Sequence, residues 1–166
     1  MPVIKLITEI NTDINIVFDL SRSIDLHKIS TSQTNEEAIA GITSGLIELN
    51  ESVTWRAKHF GVYQELTSQI TEFHKPLMFV DEMTQGAFKS FIHIHSFEKI
   101  KNGTRMIDVF NYKSPLGILG ILADRIFLKR YVTLLLVKRN LIIKEYAESG
   151  KWKEILVLPT SPYPST

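Results

Sequence analysis

The 166-residue chain has no cysteine, which rules out disulfides, thiol catalysis and cysteine-ligated zinc. It has no excess of either charge. Nineteen basic residues against eighteen acidic ones leave a formal net charge of +1, so no global field draws it to nucleic acid or to an anionic membrane. The basic pairs Lys129-Arg130 and Lys138-Arg139 read as the wet side of a helix. Nor is there a long uninterrupted apolar run. The most apolar region, residues 118–137, is broken by Asp124, Arg125, Lys129 and Arg130, too many charges for a membrane span. The opening "MPVIKLITEI" lacks the basic start and apolar core of a signal peptide. These absences predict a cytoplasmic protein whose partners include neither nucleic acid nor, by stable insertion, a membrane.

What is present is ordinary globular composition, 44% hydrophobic and 22% charged. The length suits one domain with a real core, expected over residues 1–150, followed by a proline-rich tail over 151–166. "VIKLITEI" begins as a short strand. "NTDINIVFDL" follows as a helix capped by Thr12 or Asp13, with Ile14, Val17 and Phe18 on one stripe. Ser23 or Asp25 starts a second short helix through His27. The polar stretch "KISTSQTNEEAIAGITSG" reads as a loop with one helical turn around Glu36–Ala40, long enough to be a lid or entrance over residues 30–43.

From Gly45 the hydrophobic period changes to two. "GLIELNESVTWRAKHF" predicts a hairpin turning near Asn50–Ser52, with Leu49 opposite Val53. Its inner face would carry Ile47, Leu49, Val53, Trp55, Ala57 and His59, and its solvent face Glu48, Thr54, Arg56 and Lys58. Strands at "YQELTSQITEF", "LMFVDEM", "AFKSFIHIHSF" and "TRMIDVFNY" follow, with turns at His74–Pro76, Gln85-Gly86 and Asn102-Gly103. A two-residue loop at Asn102-Gly103 sets Phe97 opposite Asp108, His95 opposite Phe110 and His93 opposite Tyr112. One face then holds Phe91, His93, His95, Phe97, Met106, Asp108, Phe110 and Tyr112. It carries the aromatics and is the predicted interior. From about Leu116 to Glu148 runs one long helical pattern. Arg125, Lys129, Asn140 and Lys144 fall on its polar side, and Ala123, Phe127, Leu134 and Leu141 on its apolar side.

The order of elements is α+β: a strand, two short helices, a run of antiparallel strands and a long C-terminal helix that alone can cover the sheet's concave face. At this point the chain resembles the SRPBCC superfamily, the START-like and birch-pollen-allergen-like helix-grip domains. Within it the similarity is to the bacterial group described as ligand-binding, polyketide cyclase-like or cell division inhibitor-like. The stretches that carry the resemblance are "VFDLSRSIDLH", "GITSGLIELNESVTWRAKHFG", "PLMFVDEMTQGAFKSFIHIHSFE", "GTRMIDVFNYKSPLGILG" and "FLKRYVTLLLVKR". They span residues 17–139, with Ala87 standing where the pattern has proline. The resemblance implies a curved antiparallel sheet wrapped around the long helix, and a deep cavity that binds lipids, polyketides or other hydrophobic small molecules.

The residues point to the same place. His93, His95 and Asp108 share one face, and His59 joins it from a neighbouring hairpin. Four roles compete for this cluster. It can be a self-satisfied set of buried hydrogen bonds. It can anchor the polar end of a greasy ligand. A histidine held by Asp108 can act as general base in a cyclase- or dehydratase-type enzyme, which makes His93, His95 and Asp108 the catalytic candidates. Finally, His-x-His with a carboxylate can hold zinc, iron or manganese, although no glutamate or third histidine stands at a characteristic spacing. No metal or other cofactor is expected. The ligand-binding candidates are His59, His93, His95 and Asp108 together with the aromatics Phe91, Phe110 and Tyr112. Trp55, Phe127 and Tyr131 complete the set, with plain core packing as their competing role. Oligomeric state stays open.

Overall fold

The computed structural model describes residues 2–114 and 127–156. Strand β1 (Val3–Ile10) leads into α1 (Ile14–Ser21) and α2 (Ile24–Ser30). Of the alternative caps, Asp13 serves α1, its carboxylate accepting from Asn15 N at 2.9 Å, and Ser23 serves α2, its hydroxyl accepting from Leu26 N at 3.2 Å. Strands β2 (Glu37–Gly41), β3 (Ser52–His59), β4 (Val62–His74), β5 (Met78–Gln85), β6 (Ser90–Ile100) and β7 (Gly103–Lys113) follow, then the long helix α3 (Lys129–Ser149) and a short α4 (Trp152–Ile155). The described strands form one seven-stranded antiparallel sheet in the order β1-β7-β6-β5-β4-β3-β2.

Several sequence expectations change. Residues 37–41 form strand β2 rather than a helical turn, and pair with β3 from Glu37↔Arg56 to Gly41↔Val53. Residues 45–49 are not a hairpin arm. Val53 pairs with Ser68, not Leu49, and Leu49 is exposed while Ile47 stays buried. The chain reverses ten residues later, at Phe60-Gly61. There His59 pairs with Val62, and both loop residues have positive φ (52° and 82°), the backbone of the tight turns that match strand twist.

The β6–β7 register also differs. Ile100 pairs with Gly103, so His95 faces Asp108, His93 faces Phe110 and Phe91 faces Tyr112. The slip is two residues, an even number, so every side chain keeps its predicted face. Gly103 is needed here for a close approach. Its φ is 139°, and a Cβ would lie 2.2 Å from the Ile10 carbonyl oxygen. All eight residues assigned to the inner face are buried.

Helix α3 packs with the opposite side inward from the one its apolar residues predict. Leu134 and Leu141 are both 59% exposed, and Phe127, just before the helix, is exposed too, while Arg139 and Asn140 are buried. The sheet interior carries an acid, and the helix turns its polar groups toward it. Arg139 is therefore no part of a wet face. The predicted start of the helix, with Ala123 and Arg125, lies outside the described residues, as does the proline-rich stretch 157–166. Residues 151–156 belong to the packed body, since Leu156 reaches the core and Trp152 and Ile155 pack against it.

The core has two parts. Around Phe18, the rings of Phe73, Phe79 and Phe97 pack edge-on at 5.3–5.5 Å, with Val17, Met106 and Ile143 beside them. At the other end, Ile4, Phe91, Phe110, Tyr112 and Val132 form a second cluster. The site lies where the two meet.

Candidate ligand cavity

The polar centre follows from the register. With His95 opposite Asp108 and His93 one inward position along, both imidazoles reach the same carboxylate. His93 Nε2 lies 3.0 Å from Asp108 Oδ1. His95 Nδ1 lies 2.9 Å from that oxygen, but off the line a hydrogen bond requires, and finds no other partner among the described residues. Helix α3 completes the shell. Asn140 Nδ2 donates to Oδ2 at 2.7 Å, and Arg139 Nη1 approaches Oδ1 at 3.5 Å while its Nη2 donates to the Ser21 carbonyl at 2.9 Å. Burial alone would push the Asp108 carboxyl up. The imidazoles of His93 and His95 and the Arg139 charge outweigh it and hold the group well below the usual carboxylate range. An ionised carboxylate only accepts, so His93 Nε2 must carry the hydrogen. In the neutral ring that leaves Nδ1 as the basic nitrogen. His95 is 3% exposed, stacked on Phe79 at 4.2 Å and against His93 at 3.7 Å. Burial, and then the proximity of His93, push its pKa well down, so it is neutral.

His93, His95 and Asp108 each offer a ligand atom, all within 4.8 Å of one another. The donor set nevertheless suits a metal poorly. A guanidinium already stands 3.5 Å from the shared oxygen, and an amide occupies the other. A divalent cation would meet a buried positive charge. The arrangement is that of a hydrogen-bonded ion cluster.

Beside this cluster opens a cavity of about 610 Å³ between the sheet and α3. Of the predicted contacts, Trp55, His59, Phe91, His93, His95, Phe110, Phe127 and Tyr131 line it. Asp108 and Tyr112 do not. Asp108 is 1% exposed behind the two imidazoles, and Tyr112 is sealed in the second core cluster against Phe88 and Phe110. Asp108 can therefore act on a ligand only through the histidines.

Among the lining groups with no counterpart in the sequence assignment, Asp81 and Arg139 stand nearest the polar centre. Asp81 stands opposite His93 on β5 and faces the cavity. Burial raises its pKa, against the hydrogen bond from Ser68 and the charges of His93, His27 and Arg139. It keeps some accessible surface because it opens on the cavity, yet the protein around it is dense enough for desolvation to win. Alternation along "MFVDEM" puts it on the same side as buried Phe79, a signal that was there to be used. Arg139 is the second, and its helical pattern pointed the other way.

A further polar group stands in the same wall. His27 Nε2 lies 2.9 Å from Glu36 Oε1, its ring packs on Trp55 at 4.3 Å, and His59 Nδ1 lies 2.9 Å from the Tyr131 hydroxyl. Burial raises the Glu36 pKa, but His27 more than offsets it, and burial lowers that of His59. Glu36 thus belongs to the cavity wall rather than to an external entrance, whereas Glu37 pairs outside with Arg56 at 2.9 Å.

A curved seven-stranded antiparallel sheet gripping one long helix, with two short helices after the first strand, is a known arrangement, and solved structures share it. Protein TTHA0849 from Thermus thermophilus superposes with a TM-score of 0.67 at 18% identity, over 86% of this chain and 97% of that one. The fold is the helix-grip fold. Ginseng major latex-like protein 151 from Panax ginseng matches this helix-grip domain at a TM-score of 0.65 and 13% identity, over 88% and 97% of the two chains. The di-domain ARO/CYC StfQ from the steffimycin biosynthetic pathway matches at 0.72 and 11%, over 90% of this chain and 51% of that one. This is the fold that the resemblance to SRPBCC domains implied. No family model matches the helix-grip chain, and no curated protein does.

Proposed function

We propose that this protein binds a hydrophobic small molecule, a lipid, polyketide or aromatic compound, between the sheet and α3. The observation that carries the reading is the cavity of about 610 Å³, within the roughly 300–1,000 Å³ of small-molecule sites. Its wall is aromatic and aliphatic, with polar groups converging at Asp81, His93 and Arg139. Burial of apolar surface stabilises a complex by about 25 cal/mol per Å², so a greasy ligand needs few polar contacts. Asp81 and His93 orient its oxygen-bearing end. The shared fold with a polyketide ARO/CYC supports a ligand of this kind. The same reading takes the protein to act in the cytoplasm, without nucleic acid and without stable membrane insertion. No described helix is long and apolar enough to cross a bilayer.

The test combines mass spectrometry of organic extracts of the purified protein with titration of Trp55 fluorescence in a Trp152→Phe background. A retained apolar compound, or saturable quenching by added fatty acid or aromatic polyketide, is the expected result. Empty extracts together with flat titrations would sink the proposal.

One observation favours a second role, a cyclase- or dehydratase-type enzyme. His93 is aligned by Asp108 with Nδ1 left basic, and Asp81, whose raised pKa favours the protonated acid, stands opposite it. A base and an acid on one cavity wall can take a proton from a carbon beside a carbonyl and return one to oxygen. In that role His93 and Asp81 touch substrate, while Asp108 positions His93. Solvent-deuterium exchange into a bound ketone, lost in His93→Gln without loss of binding, is the result it requires.

A further inference from the structure

Helix α3 has an outer face that the cavity does not use. Its inward residues include Val132, Leu135, Leu136, Arg139 and Ile143. On the opposite side Leu134 and Leu141 are each 59% exposed, and Val137 is 37% exposed. A solvent-facing helix normally carries polar residues on that stripe. Here three large apolar side chains recur at steps of three and four, so they share one face. The charges at the two ends of the stripe differ in sign. Arg130, one turn before Leu134, is exposed, and so is Glu145, one turn after Leu141.

We propose that this face is the interface of a two-fold homodimer in which the two α3 helices run antiparallel. With the two-fold axis between Val137 and Lys138, Leu134 meets Leu141 of the partner subunit, and Arg130 meets Glu145 of the partner subunit. Both pairs recur on the other side of the axis, as an isologous contact demands. A parallel arrangement would set arginine against arginine and glutamate against glutamate. An anionic bilayer does not fit either, because the stripe ends in a carboxylate as well as a guanidinium. Among the described residues, the groups around the stripe leave it free. Lys138 reaches sideways to Gln33, and Lys144 reaches inward to the Glu9 carbonyl. Glu145 holds Lys151 at 2.8 Å, but both side chains are about half exposed, so the pair exchanges readily for Arg130 of the partner subunit. Because the inner face of the same helix lines the cavity, the dimer braces the cavity wall.

Sedimentation velocity across the micromolar-to-millimolar range tests the proposal, with circular dichroism confirming that each surface variant is folded. The wild type is expected to dimerise, and Leu134→Glu to be monomeric. Arg130→Glu and Glu145→Arg should each weaken the dimer at least tenfold, and the double variant R130E/E145R should restore it. A wild type that stays monomeric throughout overturns the proposal. So does a dimer indifferent to Leu134→Glu, which would place the contact on another surface. Failure of the charge swap to restore dimerisation overturns the antiparallel pairing.

Discussion

Replacing Asp108 by asparagine changes almost no volume but removes the carboxylate that lies against Arg139. Asp108 is 1% exposed and Arg139 6%. The hydrogen bonds are partly repairable. The new amide oxygen can keep the Asn140 contact, and its NH₂ can donate to His93 if that ring moves its hydrogen to Nδ1. The charge is not repairable in the same way. Taking one partner from a buried ion pair costs about 3–5 kcal/mol, because the other is left uncompensated. Asp81 also acts electrostatically on Arg139 and takes up part of the deficit by ionising, so the loss should fall near the lower end, about 3 kcal/mol. With a urea dependence of about 1–3 kcal/mol per molar, the unfolding midpoint drops by about 1–3 M. Adding Arg139→Met removes the stranded cation, and the double variant should recover at least about 1 kcal/mol of the summed single losses. The pH dependence has a definite sign. The folded pKa of Asp108 is depressed, so its contribution is fully present above the unfolded value of about 3.9 and lost as pH falls through the folded value. The gap between wild type and Asp108→Asn should therefore close below about pH 4. Equal midpoints at pH 7, or strictly additive losses, would show that the Asp108–Arg139 pair does not organise this site.

Asp81→Asn should act in the opposite direction. Burial raises its folded pKa, so the ionised group costs stability as pH rises above the unfolded value of about 3.9. The variant should unfold at higher urea than wild type at neutral pH, lose that advantage in acid, and retain extracted ligand less well. His95→Phe removes the imidazole that lies 2.9 Å from the Asp108 carboxylate and helps keep it ionised, and keeps the stack on Phe79. It should lower the stability by about 1–3 kcal/mol at pH 7, and thermal unfolding unchanged from wild type would show that the ring adds nothing to the stability of the carboxylate. Gly103→Ala should destabilise by more than about 2 kcal/mol, since φ is 139° and the new Cβ meets the Ile10 carbonyl. Gly45→Ala has open space at a φ of 78° and should cost about 1 kcal/mol by the same urea assay.

The β6–β7 hairpin shows which inferences survive error. Asn102-Gly103 suggested the wrong pairs, yet all eight inner residues were assigned correctly, because a slip of two leaves a period-two pattern on its face. The α3 face had no such protection. Periodicity says which helical residues lie together, but not which side the rest of the molecule will require. Leu134 and Leu141 outweighed Arg139 and Asn140 in the pattern and were assigned inward. Residues 37–41 were lost for a related reason. An edge strand whose residues are mostly exposed, "EAIAG", has little alternation to detect, and its pairing with β3 across a bulge depends on a strand eleven residues further on.

Composition and local pattern alone determined which chemistry is absent, the order of most elements, and the placing of two imidazoles and an acid on one buried sheet face. These properties depend on residue identity and near neighbours. Tertiary structure decided the rest. The cavity exists because two core clusters, each assembled from residues far apart in the chain, leave space between them unfilled. Arg139 meets Asp108 across 31 positions of sequence, and Asp81 comes to face His93 only through strand pairing. Free volume, desolvation and the field at a buried charge are sums over distant neighbours, and no local stretch of sequence contains them.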